Sequence, residues 1–136
     1  MVFTASIHGR PSFAYPYFSV FAEETGEGSG QGGNLNLSLP ESVDGEAYRV
    51  ALGTVLRWVK RFAPTFLVVC LGLDTAKGDL TSSWSLRAAD FEANGRLLGE
   101  LGLPTLVVQE GGYDIRSLGV NARNFFSGLA QGIGLS

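Results

Sequence analysis

The sequence predicts an α/β protein, a mostly parallel sheet flanked by helices, and three observations carry that expectation. From residue 47 onward, segments with an apolar repeat of three and four alternate with short continuous apolar runs, the rhythm of βαβ units. The two runs, 66–73 and 105–109, have strand length and are apolar along 66–73 and at the centre of 105–109, as strands buried on both faces are. Pro64 stops the segment before the first run, and "GLP" at 102–104 introduces the second.

Taken in order, the chain opens with a strand in "VFTASIH" (2–8), then runs through "GRPSFAYPYF" and the glycine tract "TGEGSGQGGN" as loop. In "NLNLSLP", Leu35, Leu37 and Leu39 alternate with polar residues, which predicts a short half-buried strand closed by Pro40. A helix over 47–62 follows: Tyr48, Leu52, Val55, Val59 and Phe62 form its apolar stripe, with Arg49, Arg57 and Lys60 on the outer side. The strand at 66–73 comes next, and a second helix is expected over about 88–101 with Asp90 near its start. After the strand at 105–109, a third helix over about 116–130 presents Leu118, Ala122, Phe125 and Leu129. Right-handed crossovers bring both apolar strands to the same sheet edge, one ending in "GLDTAKGD" and the other in "EGGYD".

At 136 residues the chain is expected to form a single domain, 1–136. A net charge of -3 without any lysine or arginine cluster gives no footprint for nucleic acid. One cysteine excludes an internal disulfide, and Cys70, within an apolar run, is expected to be a small buried hydrophobe. No basic leader is followed by a long apolar stretch, and no run reaches the roughly 18 apolar residues of a membrane span, so a soluble cytoplasmic protein is expected.

Ligands in open parallel sheets bind beyond the carboxyl ends of the strands, which draws attention to Asp74 and Tyr113. A carboxylate holds a cation and a phenol donates to a developing oxyanion, so the pair suits metal-assisted hydrolysis of an acyl group. An equally open reading is that Asp74 caps a loop and Tyr113 is a packed surface aromatic. "GSGQGG" (28–33) has dinucleotide-loop spacing, but a strand-like alternation follows it where a helix is required. His8, the sole histidine, is expected to be held by local hydrogen bonds, and Glu23, Glu24 and Glu27 to form a solvated loop face.

Five segments, "SIHGRPSFAYPYF", "ETGEGSGQGGNLNLSLP", "LGLDTAKGDL", "LGLPTLVVQEGGYD" and "GVNARNF", together resemble the C-terminal half of acetylpolyamine amidohydrolases of the zinc-dependent histone deacetylase superfamily. The resemblance implies a three-layer arginase/deacetylase-like fold and hydrolysis of acetyl-amide bonds in acetylated polyamines or acetyl-lysine. By the same resemblance Asp74 matches one of three protein ligands to the catalytic Zn2+. Tyr113 matches the tyrosine that donates to the scissile carbonyl and its oxyanion. Tyr15 falls where the family places an aromatic wall of the acyl channel, and Gly111 and Gly112 where backbone approaches the channel floor. Ser6 matches a contributor to a monovalent-cation (K+) site.

The family pattern also includes an Asp-x-His segment and a His-His pair, neither of which occurs in these 136 residues. One carboxylate cannot retain zinc, which takes three protein ligands in catalytic sites. The isolated chain is therefore expected to be inactive, as a fragment, as half of a split enzyme completed by an N-terminal half, or as a non-catalytic interaction module. A sheet lacking half its fold would bare a strand edge and an apolar face, which predicts self-association as a homo-oligomer.

Overall fold

The computed structural model describes residues 1–135. In chain order it contains β1 (Thr4–Gly9), a 3-10 turn (Gly28–Gly30), β2 (Asn34–Leu39), α1 (Gly45–Phe62), β3 (Leu67–Leu71), α2 (Ala88–Gly99), β4 (Thr105–Gln109) and α3 (Ile115–Gly132). Every strand and helix expected from the pattern is present, and local chemistry accounts for their ends. Asp44 caps α1 by accepting from the Ala47 N–H at 2.9 Å. At the other end, Ala63 adopts a left-handed φ of 52°, and Pro64 follows. The Asp90 carboxylate reaches back to the Arg87 N–H at the start of α2 and pairs with Arg49 of α1 at 2.6 Å, tying the two helices together.

β1 pairs in parallel with β2, Thr4 opposite Asn34 through Gly9 opposite Leu39. Likewise β3 pairs in parallel with β4, Leu67 opposite Thr105 through Leu71 opposite Gln109. Among the described residues these are two separate two-stranded ladders, joined by packing rather than by hydrogen bonds. Ile7 of β1 and Leu39 of β2 lean on the same buried cluster as Leu71, Leu73, Trp84, Leu86, Phe91 and Phe125. The Trp84 indole N–H donates to the Pro40 carbonyl at 3.1 Å, fastening the 80–87 segment beside the end of β2.

Helices α2 and α3 cover one face of the β3–β4 ladder and lie backbone to backbone. A Cβ on Gly95 would come within 2.1 Å of the Phe125 carbonyl oxygen, and one on Gly128 within 1.9 Å of that of Glu92. Glycine here is therefore a requirement of close approach rather than of backbone freedom.

The other face corrects the expectation of strands buried on both sides. Val68, Leu106 and Val108 are 54%, 51% and 42% exposed, while Val69 and Val107 pack inward against the core. Both helices lie on one side, and an unbroken apolar run carries no period to reveal that asymmetry. Cys70 sits on the open face, so it is an exposed thiol and not the buried hydrophobe expected.

Candidate active site

The ends of β3 and β4 open into two loops that hydrogen bonds zip together. The Glu110 N–H donates to the Leu71 carbonyl at 2.9 Å, and the Leu73 N–H donates to the Gly111 carbonyl at 2.8 Å. This brings Asp74 against the Gly111–Gly112 backbone. A Cβ on Gly111 would lie 2.4 Å from Asp74 Oδ2, so only glycine leaves the carboxylate its place. At Gly112, φ is 145° and a Cβ would meet Leu118 at 2.7 Å, which fixes the turn that presents Tyr113.

Asp74 is half-buried beside other acids. Burial, followed by the charges of Asp79 and Glu110, pushes its carboxyl above the usual range against a backbone hydrogen bond that lowers it. Carboxylates that raise one another's ionisation cost make a site suited to a cation. Among the described residues, however, no three His, Cys, Asp or Glu side chains converge as a metal cage, so these residues do not constitute a complete zinc site. Asp74 fits one coordination position.

Tyr113 is 57% exposed, but its backbone is fixed. Its N–H donates to Asp79 Oδ2 at 2.7 Å, and the next N–H, of Asp114, donates to the same oxygen at 3.0 Å. Asp114 in turn caps α3, accepting from the Arg116 N–H and, at 2.7 Å, from the Ser117 hydroxyl. The structure thus brings together Asp74, Gly111, Gly112 and the Tyr113 backbone.

Ser6 belongs to β1 of the other ladder, and Tyr15 lies in the loop that follows it. Tyr15 is 85% exposed and meets Tyr17 edge-on with ring centroids 6.3 Å apart. Ser6 Oγ lies 2.9 Å from His8 Nδ1, while His8 Nε2 lies 2.9 Å from the Val20 carbonyl and 3.2 Å from Ser38 Oγ. His8 is held locally, as expected. The glycine tract leads into β2 and not into a helix, which removes the dinucleotide reading.

Two further groups at the site carry no sequence signal of their own. Tyr48, read as one more member of a helical stripe, has its phenol pushed up to about 12 by burial and then by the Asp74 charge, so it is a neutral neighbour of the carboxylate. Glu110 adds negative charge beside Asp74, and burial and then that charge push the Cys70 thiol up. The adjacency of "GLD" and "EGGYD" across a parallel pair was the only signal able to find it.

With this geometry in hand, comparison with known proteins decides the family. Residues 1–129 match the histone deacetylase domain. The chain belongs to the histone deacetylase family. It is 42% identical over 128 residues to acetylpolyamine amidohydrolase 2 of Pseudomonas aeruginosa, covering 94% of this chain and 37% of that protein. It is 43% identical over 128 residues to the acetylpolyamine amidohydrolase of Burkholderia pseudomallei, covering 94% and 38%. The crystal structure of the Burkholderia pseudomallei acetylpolyamine aminohydrolase superposes with a TM-score of 0.94 at 42% identity, over 96% of this chain and 38% of that one. A histone deacetylase homologue from Aquifex aeolicus gives a TM-score of 0.84 at 29% identity, over 99% and 36%. The fold is therefore the helix-flanked, mostly parallel α/β fold of the deacetylases. The chain spans less than two-fifths of the length of these curated relatives.

Proposed function

We propose that this chain supplies one wall of a deacetylase active site that hydrolyses acetyl-amide bonds in acetylated polyamines or acetyl-lysine, and that it is inactive alone. The observation that carries the reading is the zip between the β3 and β4 loops, which seats Asp74 against Gly111, two residues before Tyr113 on the same loop. Asp74 is one of the zinc ligands, and the others come from an N-terminal half of the same domain on the same or another polypeptide. Zinc, when bound, polarises the acyl carbonyl and activates water. Tyr113 donates its phenolic hydrogen to the carbonyl oxygen and holds the negative charge that develops there. Gly111 and Gly112 let the backbone form the channel floor, Tyr15 lines the channel wall, and Ser6 contributes to a K+ site.

The open apolar face formed by Val68, Cys70, Leu106 and Val108 is the seat of that N-terminal half. Relatives that match nearly all of this chain are more than twice as long, so they have the chain length to cover it. The alternative reading, a non-catalytic module that pairs with a second copy, rests on the same face. Its proposed location is the cytoplasm; no helix among the described residues is long and apolar enough to cross a membrane.

The test replaces the matching segment of the Burkholderia pseudomallei enzyme with this chain and measures acetate released from an acetylated polyamine. The chimera is expected to need zinc and to lose roughly a hundredfold or more in kcat on Tyr113→Phe. A folded chimera without activity overturns the deacetylase reading. Zinc-dependent acetate release by the 136-residue chain alone overturns its inactivity.

A further inference from the structure

Asp79 is among the most buried charged side chains of the molecule, 6% exposed, and each of its two oxygens has a separate task. Oδ1 accepts from the Thr81 N–H at 2.9 Å and the Thr81 hydroxyl at 2.8 Å, folding the loop after β3 onto itself. Oδ2 accepts from the Tyr113 N–H at 2.7 Å and the Asp114 N–H at 3.0 Å, gripping the loop after β4. We infer that Asp79 is a positioning residue for Tyr113, a carboxylate clamp that fixes the tyrosine's backbone against the loop carrying Asp74. The inference rests on the proposed role of Tyr113.

The chemistry explains why the clamp needs a carboxylate. Only an ionised acid presents two acceptor oxygens and no donor, and here four donors converge on it. An amide has one acceptor oxygen, so an asparagine must abandon one pair and turn an N–H2 group toward backbone N–H donors. The negative charge also lies at the N-terminus of α3, whose cap is Asp114, where the helix dipole favours an anion. Desolvation works to raise the carboxyl, but the hydrogen bonds from Thr81, Tyr113 and Asp114 outweigh it and hold the group below the usual range. No other side chain bonds the Tyr113 backbone among the described residues, so the clamp and the turn at Gly112 together set where the ring stands.

The test has an arm that needs no activity. In the purified chain, Asp79→Asn should speed hydrogen exchange of the Tyr113 and Asp114 amides by about tenfold or more, while amides inside α1 and β3 change little. Uniform acceleration throughout the chain, or none at these two amides, overturns the clamp. If Asp79→Asn does not fold, Thr81→Ala, which removes one partner of Oδ1, should accelerate the same two amides ahead of all others; failure to do so also overturns it.

The second arm uses the chimera with the Burkholderia pseudomallei enzyme. Asp79→Asn should lower kcat roughly 10- to 100-fold with KM changed much less. In a Tyr113→Phe background the same change should cost almost nothing further, because a residue that acts through the phenol has no effect once the phenol is gone. Equal losses in both backgrounds mean a general structural role and overturn the inference. Full activity of Tyr113→Phe itself instead overturns the proposed function, while the exchange arm still decides whether the clamp exists.

Discussion

The two faces of the β3–β4 ladder have nearly the same composition and opposite fates. Val69, Leu71 and Val107 turn into a core closed by α2 and α3, where two helix backbones touch through Gly95 and Gly128. Val68, Leu106 and Val108, one residue away along each strand, stand in the open. Side chains alternate across a strand, so the strands supply apolar surface to both sides and the helices decide which side is used. One face is a finished core and the other is left exposed.

The largest expected effect breaks the finished face. Gly128→Ala places a methyl group 1.9 Å from the Glu92 carbonyl oxygen, and the obstacle is backbone that cannot rotate away. Forcing α2 and α3 apart should cost about 3 kcal/mol, at the high end of overpacking, read as a lower urea midpoint with an unchanged slope. A loss under about 1 kcal/mol would mean that the helices slide freely and that this face is no tighter than the other.

The clamp at the end of the ladder should come next. The folded-state carboxyl of Asp79 lies below its ordinary value, so it contributes stability that is fully present above the unfolded value of about 3.9 and lost as pH falls through the depressed folded value. Asp79→Asn should therefore cost about 1.5–3 kcal/mol at neutral pH, and the gap from the unsubstituted chain should close in strong acid. Urea midpoints taken between neutral pH and about pH 2 check the sign; a gap that widens in acid refutes it.

How legible this was in the sequence follows the same divide. Elements with a period or a stop signal could be read: the stripe of α1 ending at Pro64, the alternation of β2, and the "GLD" and "EGGYD" strand ends that meet as the expected pair of loops. What could not be read were matters of sidedness and close approach. The uniform runs of β3 and β4 hid which residues face outward, and Cys70 was misplaced for that reason. Nothing local marks Gly95 and Gly128 as contact points; only the partner helix backbone shows why no side chain fits there. The bonds that Asp79 accepts from the Tyr113 and Asp114 amides span 34 and 35 residues, beyond the reach of any local pattern.

A smaller effect, of opposite sign, sharpens the contrast within α3 itself. Gly119 lies on the same helix as Gly128, but nothing stands within 4 Å of where its Cβ would be. Gly119→Ala should therefore stabilise by about 0.5–1 kcal/mol through helix propensity alone, seen as a higher thermal midpoint. A loss would mean that this side of α3 is also packed.

The smallest expected effect tests the bare face. Val68→Thr and Leu106→Thr keep strand-forming side chains but place a hydroxyl where solvent already reaches, so each should move the stability of the isolated chain by no more than about 0.5 kcal/mol. In the chimera with the Burkholderia pseudomallei enzyme, the same hydroxyls are carried into the proposed interface with the N-terminal half. Each should then cost about 1–3 kcal/mol, because a buried hydroxyl without a partner forfeits its hydration. Sedimentation of the isolated chain separates the two occupants of the face. If a second copy covers it, both substitutions should dissociate an oligomer; if the N-terminal half covers it, they should leave the mass of the isolated chain unchanged. Should either substitution destabilise the isolated, monomeric chain as much as Gly128→Ala does, the chain itself would be covering that face and the contrast between the two sides of the ladder would be lost.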